Sequence, residues 1–225
     1  MNAIISFFSS SIGRKWTVAV TGLLLFGFVV GHLAGNLQIF LGPESINRYG
    51  AFLQGLGELL WAIRLGLLFM FVVHIVATVQ LRIENRAARP VRYAVTKRVR
   101  STLAARWMLL SGVTVLCFVV FHLLHFTTHN IDGSFATLHD GQGRHDVYRM
   151  MILGFSNKAV VAFYIVGVGL LSLHLKHGFQ SLFQTLGLSS AKLAAGWNKT
   201  GQTLSWLIFL GYASIPVAVL TGVVK

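Results

Sequence analysis

Five stretches of the chain, about 16–40, 61–81, 103–127, 158–182 and 203–224, are long runs of mostly apolar residues. At a rise of about 1.5 Å per residue, about 20 such residues cross the roughly 30 Å hydrocarbon core of a bilayer. Hydrocarbon offers no water to an exposed peptide group, so a spanning segment must satisfy its own amides, and a single run of this length does so as a helix. The chain is therefore expected to be an all-α membrane protein, a bundle of five transmembrane helices. Composition agrees: of 225 residues, 55% are hydrophobic and 11% charged, against about a quarter charged in a soluble domain. Nothing between the runs is large enough for a second domain, so 1–225 reads as one unit. The opening MNAIISFFSSSI lacks a basic leader and a cleavage-like end, and reads as a short interfacial helix.

Charge supplies direction. The formal net charge is +13, but the cations sit in short segments between apolar runs, so they speak of topology and not of nucleic acid. Thirteen of the 19 Lys and Arg lie before the first span, around the loop joining the second and third, or around the loop joining the fourth and fifth. The other segments hold six, together with five of the six acids. The positive-inside rule then places the N-terminus in the cytoplasm and the C-terminus outside. The single cysteine, Cys117, lies inside an apolar run, so no disulfide framework exists.

Nine histidines occur. His129, His139 and His145 follow the third span in a polar loop and are expected to be solvated. His32, His74, His122, His125, His174 and His177 lie within spans, where ionisable groups are costly and usually functional. Because successive spans alternate in direction, His32 and His122 fall at one depth, toward the outside, and His74 and His174 at another, toward the cytoplasm. The two levels are expected to differ by roughly 10–15 Å along the membrane normal. Two opposed imidazoles at one level suit a planar metallocofactor clamped between helices. Zinc would want three or four clustered ligands, and a proton relay would add intramembrane acids, which the span interiors lack. The pairs are read as axial ligands of two b-type haems, an outer one on His32 and His122 and an inner one on His74 and His174. No C-x-x-C-H occurs, which excludes c-type attachment.

His125 competes with His122, and His177 with His174. An internal repeat, TGLLLFGFVVGHL (Thr21–Leu33) and SGVTVLCFVVFHL (Ser111–Leu123), puts a glycine ten residues before histidine in each copy and favours His122. His174 is the deeper of its pair. Gly22, Gly112 and Gly178 are candidates for haem contact, since a missing side chain offers a flat surface to a ring.

These features resemble one family. GHLAGN around His32, the Gly–His spacing of ten in spans one and three, and FYIVGVGLLSLHLKHG (Phe163–Gly178), with Gly four residues after His174, are similar to the single-chain di-haem cytochrome b anchor of succinate:quinone oxidoreductases (succinate dehydrogenase or fumarate reductase). The resemblance covers nearly the whole chain. It implies a subunit of a bacterial cytoplasmic-membrane complex with no dicarboxylate chemistry of its own. A cytoplasmic flavoprotein subunit and an iron–sulfur subunit would be its partners, and a lipid quinone, menaquinone by analogy, its redox partner in the bilayer. The basic loop RIENRAARPVRYAVTKRVR then reads as a surface for the iron–sulfur subunit or for anionic lipid, and Arg14, Lys15 and Arg106 as neighbours of inner-haem propionates. Glu58, just before the second span on the outer side, is the candidate for proton exchange with quinone. Some members carry a glutamate two residues before the fourth-helix ligand; Ser172 stands there in this chain, so that proton path does not carry over. The rival readings are another di-haem membrane cytochrome b, of b561 or hydrogenase-anchor type, and a haem-free transporter.

Overall fold

A computed structural model describes residues 3–88 and 103–225. The basic loop from position 89 onward lies outside the described residues, as does the side chain of Arg106. Eight α-helices follow in order among the described residues: α1 Ala3–Ser9, α2 Ser11–Asn36, α3 Pro43–Gly55, α4 Glu58–Ala87, α5 Leu103–Phe126, α6 Val147–Phe155, α7 Lys158–Thr185 and α8 Ala191–Leu220. Five of them, α2, α4, α5, α7 and α8, are long and apolar enough to cross a membrane.

Polar side chains start these helices where the first amides lack intrahelical acceptors. Ser10 accepts from the Gly13 amide at α2, Asn157 from those of Ala159 and Val160 at α7, and Ser190 from that of Leu193 at α8. Before α3 the chain turns through Gly42 at φ +93°, a region that favours glycine, and Pro43 then opens the helix.

The helices depart from the sequence reading by a few residues at several ends, and most at α8. α8 begins at Ala191, not near 203, because 191–202 is too polar for the hydrocarbon core yet rich in helix formers behind the Ser190 cap. It ends at Leu220, short of the expected 224, where the chain turns at Gly222 with φ +75°. α8 also contains Pro216, which has no amide hydrogen to give to the helix.

The helices α2 and α7 form the centre. α7 packs on α8, α5 and α2, while α2 also carries α4. Gly167 lets the Phe118 ring of α5 lie against α7 where a side chain would collide. By contrast, α2 and α5 do not pack closely backbone to backbone, nor do α4 and α7, among the described residues. The outward faces are apolar: Leu65, Phe69, Val166, Leu207 and Leu210 are all more than half exposed. Such surface suits lipid tails, which offer apolar side chains no incentive to turn inward.

One end of the bundle is closed by a cap. A 3-10 turn (Leu37–Leu41), α3, the loop after α5 and α6 pack together there. The most deeply buried large side chains of the described residues, Ile39, Asn47 and Phe135, belong to this cap and not to a span's middle. Asn47 explains how a polar residue survives at 1% exposure. Its Nδ2 donates to Asp146 at 3.0 Å and Asp140 at 3.3 Å, and its Oδ1 accepts from the Tyr148 amide at 2.9 Å. Arg144 donates to both oxygens of Glu44 and, through Nε, to Asp140 at 2.8 Å. His139 is exposed as expected, but His129 and His145 are partly buried and stack with ring centres 5.6 Å apart. Burial first, and then the neighbouring His129, hold the His145 pKa below the usual histidine range. The opposite end carries Arg14, Lys15, Arg82, Arg86, Lys192 and Lys199. There Arg14 at the start of α2 forms an ion pair with Glu84 near the end of α4. The two ends are called the cap end and the basic end below.

Candidate functional site

The alternating run of the helices brings four of the six span histidines into two facing pairs. Toward the cap end, His32 of α2 meets His122 of α5 with ring centres 5.8 Å apart. Toward the basic end, His74 of α4 meets His174 of α7 at 6.5 Å. Each pair thus bridges two helices whose backbones stand apart. Ten residues of α7 separate Tyr164, beside His122, from His174, which is about 15 Å at 1.5 Å per residue. The levels are as far apart as the upper end of the expected interval.

Metal–imidazole bonds of about 2.0 Å on opposite sides of one ion, plus roughly 1.1 Å from each nitrogen to its ring centre, put the two centres about 6.2 Å apart. Both observed separations lie within half an ångström of that value. Edge-to-face aromatic contact alone spans about 4.5–7 Å, so separation does not by itself select a metal. The hydrogen bonds behind the rings discriminate better.

At the basic end, Thr21 Oγ1 of α2 lies 3.0 Å from His74 Nδ1. The hydroxyl's own hydrogen goes to the Thr17 carbonyl at 2.7 Å. The oxygen therefore accepts from Nδ1–H, and Nε2 keeps its lone pair for a ligand bond. Ser111 of α5 repeats the device on His174: its Oγ donates to the Met108 carbonyl at 3.1 Å and lies 3.4 Å from His174 Nδ1. At the cap end one hydroxyl serves two rings. Tyr164 of α7 lies 3.3 Å from His122 Nδ1 and 3.1 Å from His125 Nδ1. A phenol has one hydrogen to give, so all three are satisfied when one ring donates Nδ1–H to the phenol oxygen and the phenol O–H goes to Nδ1 of the other ring. With His122 as the donor, its Nε2 is left bare, and the one ring hydrogen of His125 sits on Nε2. His125 itself is 3% exposed and wedged beside Phe126 and Phe135. It is a packing partner of Tyr164, and it does not meet His32.

The remaining candidates fall as follows. A side chain begun at Gly22 would come 3.2 Å from His74 Cε1, and one at Gly112 3.7 Å from His174 Cε1. Each repeat glycine therefore lies beside the histidine of the other level, not the one ten residues along its own helix, and at Gly22 a side chain would crowd the ring, whereas at Gly112 it would make an ordinary contact. A side chain at Gly178 would meet nothing within 4 Å. Glu58 is the exposed first residue of α4, where a carboxylate faces the positive end of the helix dipole, and it has no hydrogen bond to either pair among the described residues. The guanidinium of Arg14 is engaged by Glu84. His177 Nδ1 and Ser172 Oγ are buried with no hydrogen-bond partner among the described residues. No cluster of three or more His, Cys, Asp or Glu side chains gathers among the described residues, so the donor sets are pairs.

Sequence reasoning overlooked Thr21, Ser111 and Tyr164. The first two were legible: the repeat aligns Thr21–Gly22 with Ser111–Gly112, a hydroxyl before a glycine in both copies. Tyr164 carried no comparable signal. Comparison with protein-family models, with curated proteins and with solved structures gives no match.

Proposed function

We propose that this chain is a membrane cytochrome b that binds two b-type haems, His32 with His122 and His74 with His174, and serves as the anchor and electron-transfer subunit of a succinate:quinone oxidoreductase. The observation that carries the haem reading is the facing of each histidine pair at 5.8 or 6.5 Å, with hydroxyls behind three of the four rings. Haem b supplies reversible one-electron chemistry at its iron when bound. The chain's own part is to ligate, orient and insulate. Four imidazoles offer Nε2, and Thr21, Ser111 and Tyr164 hold three of them in the tautomer that makes this possible. Gly22 leaves room for the His74 imidazole of the basic-end pair. The apolar spans keep water from both levels, which lets axial ligation and nearby dipoles decide the potential.

The anchor role rests on the quoted resemblance and on the charge asymmetry. In this reading the basic end faces the cytoplasm and receives the iron–sulfur subunit, which carries the flavoprotein. Lipid quinone, of the menaquinone type, exchanges electrons within the bilayer, and Glu58 is the candidate proton donor or acceptor for it.

Purification of the chain from its native membrane tests both layers. A dithionite-reduced spectrum with b-type bands and two haems per chain is expected, together with co-purifying iron–sulfur and flavin subunits. A colourless preparation would overturn the haem reading in favour of the transporter. Haem without those subunits would leave another di-haem cytochrome b.

A further inference from the structure

The repeated segment does two things at once on each copy. α2 carries His32 for the cap-end pair and, eleven residues earlier, Thr21 against His74 of the basic-end pair. α5 carries His122 for the cap-end pair and, eleven residues earlier, Ser111 against His174. Eleven residues are three helical turns, so histidine and hydroxyl leave the helix on nearly the same side, about 16 Å apart. Both hydroxyls are 4% exposed, and both spend their hydrogen on a carbonyl of their own helix. Neither can donate to the imidazole; each can only accept. The residue after each hydroxyl is a glycine beside the same imidazole, and at Gly22 a side chain would crowd the ring.

We infer that Thr21 and Ser111 are positioning residues of the basic-end haem site: through Nδ1 they fix the tautomer and ring orientation of His74 and His174 and so control haem retention and potential at that level alone. This rests on the haem reading above. An acceptor behind Nδ1–H raises the basicity of the ligating nitrogen, and loss of such a partner typically costs about 10–100-fold in metal affinity. A more basic ligand favours the ferric state, so losing the acceptor raises the potential. The Thr21 contact is the shorter, 3.0 Å against 3.4 Å, and hydrogen bonds weaken toward the longer distance. Thr21 is therefore the stronger of the two.

The test uses the full chain in detergent with its haems in place. Thr21→Val keeps the shape and removes the acceptor; Ser111→Ala removes the other; Thr21→Ser keeps an acceptor. Release of each haem to an excess of a soluble haem-binding protein is followed with a redox titration of both centres. Thr21→Val is expected to speed release of one haem about 10–100-fold and raise its potential, leaving the second haem unchanged. Ser111→Ala acts on the same haem more weakly, and Thr21→Ser stays close to the parent. Parental release rates and potentials in the Thr21→Val, Ser111→Ala double variant would overturn the inference. So would equal shifts in both haems, which would mark a general loosening of the bundle. A parent chain that binds no haem at all would overturn the reading beneath it, and that result is visible before any variant is made.

Discussion

The same facing pair of imidazoles is held in two different ways at the two ends of this bundle. At the cap end, His122 leans on a phenol that also holds His125, inside a cluster of Phe121, Phe126, Phe135 and Phe155. Ile39, Asn47 and Phe135, each about 1% exposed, close that end from above. At the basic end the supports are a threonine and a serine, and the α4 helix that brings His74 is buried only at Ala77. Two buried polar atoms toward that end, Ser172 Oγ and His177 Nδ1, have no partner among the described residues. Under the proposed function, the basic end is the one that meets the iron–sulfur subunit.

The sharpest way to break the comparison is to delete one ligand from each level. His74→Ala is expected to remove the basic-end haem and His32→Ala the cap-end haem, each taking the haem content from two per chain to one, read by pyridine haemochrome and protein assay. If either variant loses both haems, the levels are one cooperative unit and the contrast between them has no functional meaning.

Next in size is Asn47→Ala. It strands the Tyr148 amide and withdraws a donor from Asp146 and Asp140, a loss of about 2–3 kcal/mol if the site stays dry. The cap should then open at lower temperature than the spans, seen as earlier proteolysis within 127–146 and earlier loss of the cap-end haem. Simultaneous melting of both levels would show that the cap is not a separate seal. Tyr164→Phe is smaller again: it keeps the ring packing and deletes the hydroxyl behind His122. About tenfold faster release of the cap-end haem is expected, with the basic-end haem unmoved. A change confined to the basic-end haem would reverse the assignment of supports.

The spans were readable because a bilayer imposes one length and one composition on whatever crosses it. The pairing of histidines was readable because direction converts sequence position into depth. The cap was not. The segment 37–57 contains mixed residues of no clear period, and it takes its place through partners about a hundred positions away: Asn47 against Asp140, Asp146 and the Tyr148 amide, and Glu44 against Arg144. The α8 start was missed for a related reason: helix propensity continues through 191–202 after membrane compatibility stops. Tyr164 had to be seen, since nothing in its neighbours distinguishes it from the other aromatic residues at span ends.

The smallest expected effect is on pH, and it tests whether the cap end is held by charge as well as by packing. The hydrogen bond from Arg144 is the main reason the Glu44 carboxyl sits below its usual pKa. A carboxylate depressed in the folded state contributes stability that is fully present above its unfolded pKa, about 4.3, and is lost as pH falls through the folded value. Glu44 therefore adds a constant increment at neutral pH and a declining one in acid. Its side chain is 61% exposed, so solvent and salt screen most of that increment. Thermal release of the cap-end haem should occur at slightly lower temperature in Glu44→Gln than in the parent at pH 7, and the two should converge below about pH 4. The difference should also shrink at high salt. A higher release temperature for Glu44→Gln than for the parent at pH 7 would mean that the charge of Glu44 opposes the cap.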